Sequence, residues 1–464
     1  MICLFHKNFI EFISMFIIKT IHLHKKISNE NKINLLFDLN SSSPCLYPML
    51  YSIKELRFQS TSTQYADLIA IKFWYEFWYE KFSTSFCAAF YSSSYNFERI
   101  QSEIDNFIIY LENNRKLETN LIKLNKSVHI NYTTIGHRVR SFLKFYSFLA
   151  DEYLNTYNQP HINLKDIQKL KDYLQRYILK KKKILNNFSR TSKAIHSEVN
   201  YSFKSMNDEM LKTLYRIISP SSRNKHNELN IFKSHNIQLR NFLIVHLMLN
   251  YGLRVGELLL LTIHSIKKSI QNNHYSLIIA NLDDEYDERA RKPKIKNENS
   301  YRVIQLQDRD YKLIQIYINE IRKESPTQIL FTALRPPYSA LSYASIYKIF
   351  DELDLKLRTM APQYFDSNSY DALEKITPHV CRHTWAYMML SYSFDKYKKL
   401  EQNNIYLIDS TNNALIKAQE DLRAMAGWSS TSMMPLYYGK RFIVERANYT
   451  NLNRIINLDI EGLS

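Results

Sequence analysis

Apolar residues recur every three or four positions through most of this chain, and that period commits it to amphipathic helix rather than to sheet. The pattern is plainest from Tyr65 in ADLIAIKFWYEFWYEKF, and it returns in FERIQSEIDNFIIYLENN and IGHRVRSFLKFYSFLADEYL. A further helical stretch carries the run Lys180, Lys181, Lys182 and Lys183 near its end. Residues 61 to about 190 therefore read as an all-helical unit with basic surfaces, and the polar stretch NNFSRTSKAIHSE at 186–198 reads as a linker. Helical patterns resume at MNDEMLKTLYRII and in the strongly apolar QLRNFLIVHLMLNYGLRVGELLLL. Two short β-like segments, YSLIIA (275–280) and YRVIQL (301–306), then flank the basic, hairpin-like RKPKIKNENS. Helices continue at YKLIQIYINEIRK, ASIYKIFDELDLKL and, after Thr377-Pro378, HVCRHTWAYMML. No internal repeat is visible, which removes solenoids and propellers. At roughly 150 residues per domain, 464 residues allow about three folding units, or two with insertions.

Residues 1–60 are weakly patterned and receive no role. The N-terminal run is apolar, but Lys7, Glu11 and Lys19 interrupt it before the roughly 20 residues a membrane span needs. No small-residue cleavage site follows Phe12–Ile18, so an amphipathic helix or an upstream start codon is expected there rather than a signal peptide.

Composition narrows the partners. The 62 Lys and Arg against 45 Asp and Glu leave a net charge of +17, which attracts polyanions, nucleic acid first among them. Hydrophobic content of 45% and charged content of 23% are ordinary for a globular protein, so a disordered basic tail is excluded. Only six glycines occur, and none forms GxGxxG or GxxxxGK[ST], which removes the usual dinucleotide and ATP cradles. Cys3, Cys45, Cys87 and Cys381 form no CxxC pair, so the expected chain is reduced, cytosolic and without a structural metal.

Polar groups inside apolar helices or beside rare glycines need a reason, because burying them costs free energy. Arg254 lies between Gly252 and Gly256, ahead of a leucine run and three residues before a possible partner, Glu257. His379 and Arg382 share one helix face, with Thr377 as the expected N-cap and Pro378 in the first turn. A guanidinium and an imidazole at a helix N-terminus make an anion site, since the unsatisfied N–H groups add positive potential. His379 and His383 also stand at metal-pair spacing, but an HExxH site needs Glu where Val380 stands. The last segment, LRAMAGWSSTSMMPLYYGKRF, brings Trp428, Tyr437 and Tyr438 ahead of Lys440 and Arg441.

In this order, Arg254, Lys296 in the hairpin, His379 with Arg382, Trp428, and Tyr437 nine residues later, the chain resembles the tyrosine recombinase, or phage integrase, family. The resemblance covers about residues 200–445 and extends more weakly to the helical unit before them. It implies a mainly α, two-domain DNA clamp: a helical core-binding domain at 61–190 and a mainly α catalytic domain at 200–464 with a small antiparallel sheet. It implies a site-specific DNA strand transferase that works through a 3'-phosphotyrosyl intermediate without cofactor or metal. Arg254 and Arg382 would hold the scissile phosphate, Lys296 would be the general acid and His379 the general base. Trp428 would donate to the phosphate, His383 would assist or brace, and Glu257 would buttress the arginine. Tyr437 fits the family spacing for the nucleophile, with Tyr438 as the alternative. Lys292 and Lys294 crowd the same hairpin as Lys296 and, with Lys180–Lys183, are candidates for phosphate contact.

The resemblance further implies double-stranded DNA as partner, a homotetramer on two DNA sites, accessory DNA-bending proteins, and a cytoplasmic, nucleoid-associated location. Two other readings use the same residues: an inactive descendant that only binds DNA, and a type IB topoisomerase-like relaxing enzyme. The long insertion SYSFDKYKKLEQNNIYLIDSTNNA between Arg382 and Trp428 departs from the family pattern.

Overall fold

The aromatic-rich periodic segment forms α2 in a chain that divides into two compact units, Met1–Glu198 and Val199–Ser464. The computed structural model describes residues 15–22, 32–113, 115, 132–156, 164–200, 205–220, 227–270, 274–281, 287, 289, 292–295, 298–322, 325, 327–369, 371–402 and 410–456.

In the first unit an antiparallel sheet, β1 (Phe16–His22), β2 (Lys32–Asp38) and β3 (Ser43–Pro44), precedes the helices. Phe16 pairs with Asp38 and His22 with Lys32. This differs from the amphipathic helix expected at the N-terminus, whereas residues 61–190 hold helices and no strand among the described residues. Phe16 and Leu36 are fully buried in the core of the first unit, so the sheet is integral to that unit. The helices α1 (Leu46–Lys54), α2 (Thr61–Phe82), α3 (Phe86–Ser92), α4 (Phe97–Glu112), α5 (Tyr132–Thr156) and α6 (Leu164–Asn200) follow. Ser60 caps α2, its Oγ accepting from the Thr63 N–H at 3.2 Å. Trp74 of α2 stacks on Phe142 of α5 at 4.1 Å and meets Phe107 of α4 edge-on at 5.3 Å. Stretch 186–198 continues α6 as helix instead of forming a linker. It contains no Gly or Pro, so nothing in its backbone chemistry breaks the helix. Within the lysine run, Lys181 bonds Asp105 at 2.5 Å and ties α6 to α4, while Lys180 and Lys183 are exposed.

The second unit is built on α8 (His235–Tyr251), which follows α7 (Asp208–Ile218) and is buried on most of its surface. Short α9 (Val255–Leu260) leads into a second antiparallel sheet, β4 (Ile266–Lys268), β5 (Tyr275–Ile279) and β6 (Arg302–Leu306), in that order across the sheet. The two β-like segments are thus neighbours, with Tyr275 opposite Leu306. Strand β4 has no sequence signature, because two of its three residues are lysine. After α10 (Asp308–Ile316) and α11 (Tyr343–Met360), the described residues of the insertion belong to the end of α12 (Pro378–Gln402) and the start of α13 (Ser410–Ala426). Leu390 and Phe394 of α12 pack with Ala414, Ala418 and Leu422 of α13 and with Phe442 of the last helix, α14 (Met434–Ile456). Among the described residues no helix is long and apolar enough to cross a membrane.

Trp74 is fully buried at the centre of the aromatic core. Trp74→Ala should therefore destabilise the first unit by about 3–5 kcal/mol, seen as an earlier urea transition in far-UV circular dichroism. An unchanged midpoint would remove the stack on Phe142 from the account of that core.

Candidate active site

Helix α8 ends at Gly252, whose φ of +61° turns the chain towards α9. A Cβ at this position would lie 2.2 Å from Cε3 of Trp385, so backbone and ring leave room for glycine alone. The turn delivers Arg254 to the N-cap position of α9, one turn ahead of Glu257.

Glu257 is 2% exposed, yet its carboxylate is the hub of the region. Its Oε2 accepts from the Arg254 backbone N–H at 2.9 Å and from Arg302 Nη2 at 2.9 Å. Its Oε1 accepts from Arg254 Nη1 at 2.5 Å, and Arg382 Nη1 stands 3.9 Å from Oε2. Burial opposes ionisation, but the Arg302 hydrogen bond and the charges of Arg302, Arg382 and Arg254 outweigh it and hold the carboxyl below its ordinary range. One negative charge faces three guanidiniums, which leaves a surplus of positive charge.

Arg382 comes from the first turns of α12. Thr377 Oγ1 accepts from the Val380 N–H at 3.3 Å, the N-cap bond that the sequence suggests. Arg382 Nη2 donates to the Ala426 carbonyl at 2.6 Å and Nη1 donates to the Gly252 carbonyl, so this side chain joins the end of α8 to the end of α13. Burial, then the nearby charge of Arg254, push its pKa down to about 9, against the pull of Glu257. A bound anion would relieve that cost. The guanidinium also lies 5.6 Å from the Trp428 ring centre.

The turn after α13 places Trp428 half-buried, its ring stacked on Tyr438 at 5.9 Å. Arg423 holds this turn, donating to the carbonyls of Ser429 at 2.8 Å and Ser432 at 2.9 Å. Tyr438 is 2% exposed and its hydroxyl hydrogen-bonds His383 Nδ1. Burial raises its pKa well above the usual phenol value, with Arg382 pulling the other way. Tyr437 is 41% exposed and meets the Tyr438 ring edge-on at 5.8 Å. Both sit near the start of α14, where one residue turns a side chain by about 100°, so one faces inward and the other outward. His379 is exposed on the first turn of α12, its ring 6.4 Å from that of His383.

The structure thus joins Arg254 and Arg382 at Glu257 and links them outward in a chain of neighbours, Arg382 to Trp428, Trp428 to Tyr438, Tyr438 to Tyr437 and His383, and His383 to His379. Lys296 lies outside the described residues; Lys292 is half-buried and Lys294 exposed in the segment before it. Lys180–Lys183 belong to the first unit. Two residues at the cluster carry no distinct sequence signal: Ser300, fully buried, and Arg302 at the head of β6, where a strand pattern expects only a polar edge residue. Among the described residues no three His, Cys, Asp or Glu side chains are grouped as a metal site.

Residues 222–398 match the phage integrase family. No curated protein matches the chain. Among solved structures, the XerH site-specific recombinase bound to its difH substrate, a pre-cleavage complex, is 14% identical, with a TM-score of 0.47 over 88% of this chain and 86% of that one. Its post-cleavage complex on palindromic difH is 15% identical, with a TM-score of 0.45 over 86% and 82%. The Tn1549 transposon integrase in complex with circular intermediate DNA is 15% identical, with a TM-score of 0.34 over 73% and 99%. The matched span holds Arg254, His379 and Arg382 in the order read from the sequence, and it is this part of the second unit that is similar to the phage integrase family.

Proposed function

We propose that this protein cleaves and rejoins double-stranded DNA at specific sites, with Tyr437 as nucleophile. The observation that carries the reading is the buried Glu257 carboxylate shared by Arg254, Arg302 and Arg382, beside a tyrosine pair. An arginine cluster with surplus positive charge suits a phosphodiester, and suits the more negative phosphorane better still. The stabilisation is therefore largest at the transition state.

In the proposed step the Tyr437 oxygen bonds to phosphorus while the bond to the 5'-oxygen breaks. The phenolic proton passes to His379, and Lys296 protonates the departing 5'-oxygen, which leaves as the hydroxyl. Arg254 and Arg382 hold the non-bridging oxygens, and Trp428 closes the remaining side. The 3'-phosphotyrosyl product keeps the energy of the phosphodiester, so attack by the 5'-hydroxyl of another strand reverses the chemistry without ATP. Exposure favours Tyr437, whose side chain reaches solvent and hence DNA. Tyr438 already spends its hydroxyl on His383 and its ring on Trp428. The basic faces at Lys180, Lys182 and Lys183 and at Lys292 and Lys294 would lie on phosphates, while Lys181 stays with Asp105, and the two units would clamp one duplex. A tetramer on two sites, helped by DNA-bending proteins, is the proposed assembly, and cytoplasmic nucleoid DNA its proposed location.

Tyr437→Phe should abolish SDS-resistant protein–DNA adducts while leaving duplex affinity within about threefold, since the lost atom forms a bond only in the reaction. Loss only in Tyr438→Phe would move the nucleophile by one residue. Relaxation of supercoiled DNA with no recombinant product would instead favour the topoisomerase-like reading.

The C-terminal half of α14 exposes Tyr449, Leu452, Ile455 and Ile456, an apolar surface with a use if it docks on a second copy. Truncation after Arg446 should weaken pairing of two DNA sites more than binding to one, measured by gel mobility. Equal loss of both would count against the assembly.

A further inference from the structure

We propose that Arg302 and Ser300 form a clasp that positions Arg254 and the Trp428 turn for strand cleavage; the inference rests on the reading of the site given above. The four residues close a ring through three side chains and both the hydroxyl and the carbonyl of Ser300. Arg254 Nη1 donates to Glu257 Oε1 at 2.5 Å and to Ser300 Oγ at 3.1 Å. Arg302 Nη2 donates to Glu257 Oε2 at 2.9 Å, and its Nη1 donates to the Ser300 carbonyl at 3.0 Å.

The ring is fastened to the turn after α13. Ser300 Oγ donates to the Gly427 carbonyl at 3.3 Å. A Cβ on Gly427, whose φ is +61°, would lie 2.9 Å from the Asn299 carbonyl oxygen and from Ser300 Cα, and 3.2 Å from Arg302 Nη1. Backbone therefore meets backbone where the hairpin segment enters β6, next to the turn that carries Trp428. Two proposed catalytic segments, those of Arg254 and Trp428, are thus tied at or near one point.

The clasp is a poor device for stability alone. Arg302 is 8% exposed at its side chain, and its Nε is buried with no hydrogen-bond partner among the described residues. An apolar side chain at the head of β6 would fill the same space without desolvating a charge. What the guanidinium supplies is direction. It holds Oε2 of Glu257, so that Arg254 keeps Oε1 alone for its side-chain contact. Without Arg302, Oε2 keeps the Arg254 backbone N–H and gains a free acceptor site for the Arg254 side chain, and the bidentate pair that follows competes with the phosphate for the same donors. Arg302 does not touch DNA in this account; it is a positioning residue.

The test uses the full-length protein and DNA flanking its own gene. Adduct formation is timed at saturating DNA, affinity is measured separately, and amide hydrogen exchange is followed without DNA. Arg302→Met should slow adduct formation about 100-fold with affinity within about threefold, the cost expected of misplacing a reacting group by an ångström. Arg302→Lys, which keeps the charge and one donor, should recover at least about tenfold of that loss. Exchange at residues 299–302 and 427–429 should rise together in Arg302→Met. Ser300→Ala, which removes a single hydroxyl, should give a smaller loss in the same direction and carries the test if Arg302→Met does not fold. A full cleavage rate, an equal loss of rate and affinity, a Lys variant no better than Met, or unchanged exchange in both segments would each overturn the clasp. If the wild type forms no adduct on any DNA, the strand-transfer reading fails. Exchange then decides the clasp alone, supported if both segments loosen and overturned if they do not.

Discussion

One buried carboxylate sets the arrangement of this site. Glu257 is surrounded by Arg254, Arg302 and Arg382, and each guanidinium arrives from a different element: the cap of α9, the head of β6 and the first turns of α12. An isolated buried carboxylate would take up a proton, and three packed guanidiniums would repel one another. Together they are stable only in a geometry close to the one seen, because breaking a buried ionic cluster at one member costs several kcal/mol. The cluster is therefore less a source of stability than a jig that fixes the relative positions of helix ends.

The rest of the second unit follows from that jig. Gly252 must be glycine so that Trp385 can lie against the chain where it leaves α8 for Arg254. Arg382 then reaches the carbonyls of Gly252 and Ala426, which brings α13, and with it Trp428 and the start of α14, to the same place. The α12–α13 pair gives this turn a rigid support, with its own small core of alanine, leucine and aromatic residues. The two tyrosines enter last. Adjacent positions on one helix turn divide them into a buried phenol on His383 and an exposed one beside it.

Much of this was legible in the residues, for reasons that also explain what was not. Helical period located α2, α4, α5, α8 and α11, because each buries one face or nearly all faces against the same unit. The N-terminal strand β1 escaped because an apolar run interrupted by charges fits either period, and its pairing with β2 is a tertiary fact. The stretch at 186–198 is polar without being a breaker, and polarity alone suggested a linker where α6 continues. The insertion before Trp428 likewise hid the end of α12 and the start of α13, whose small alanine contacts carry little hydrophobic signal. At the site, rare glycines and charged residues inside apolar runs pointed to Arg254 and Arg382. Arg302 and Ser300 stayed hidden because their importance lies in their contacts with Glu257, Arg254 and Gly427, all distant in sequence. Spacing favoured Tyr437, but only the fold shows that its ring is exposed while that of Tyr438 is buried.

The central claim is that a tyrosine at the start of α14 becomes covalently bound to DNA. The most direct measurement is to trap the adduct formed on DNA flanking the gene, digest protein and DNA, and map the nucleotide-bearing peptide by tandem mass spectrometry. The account predicts a nucleotide joined through its 3'-phosphate to Tyr437, with a free 5'-hydroxyl on the other DNA end. A 5'-linked adduct, a modified residue outside the Tyr437–Tyr438 pair, or tight salt-sensitive binding with no adduct at all would contradict it.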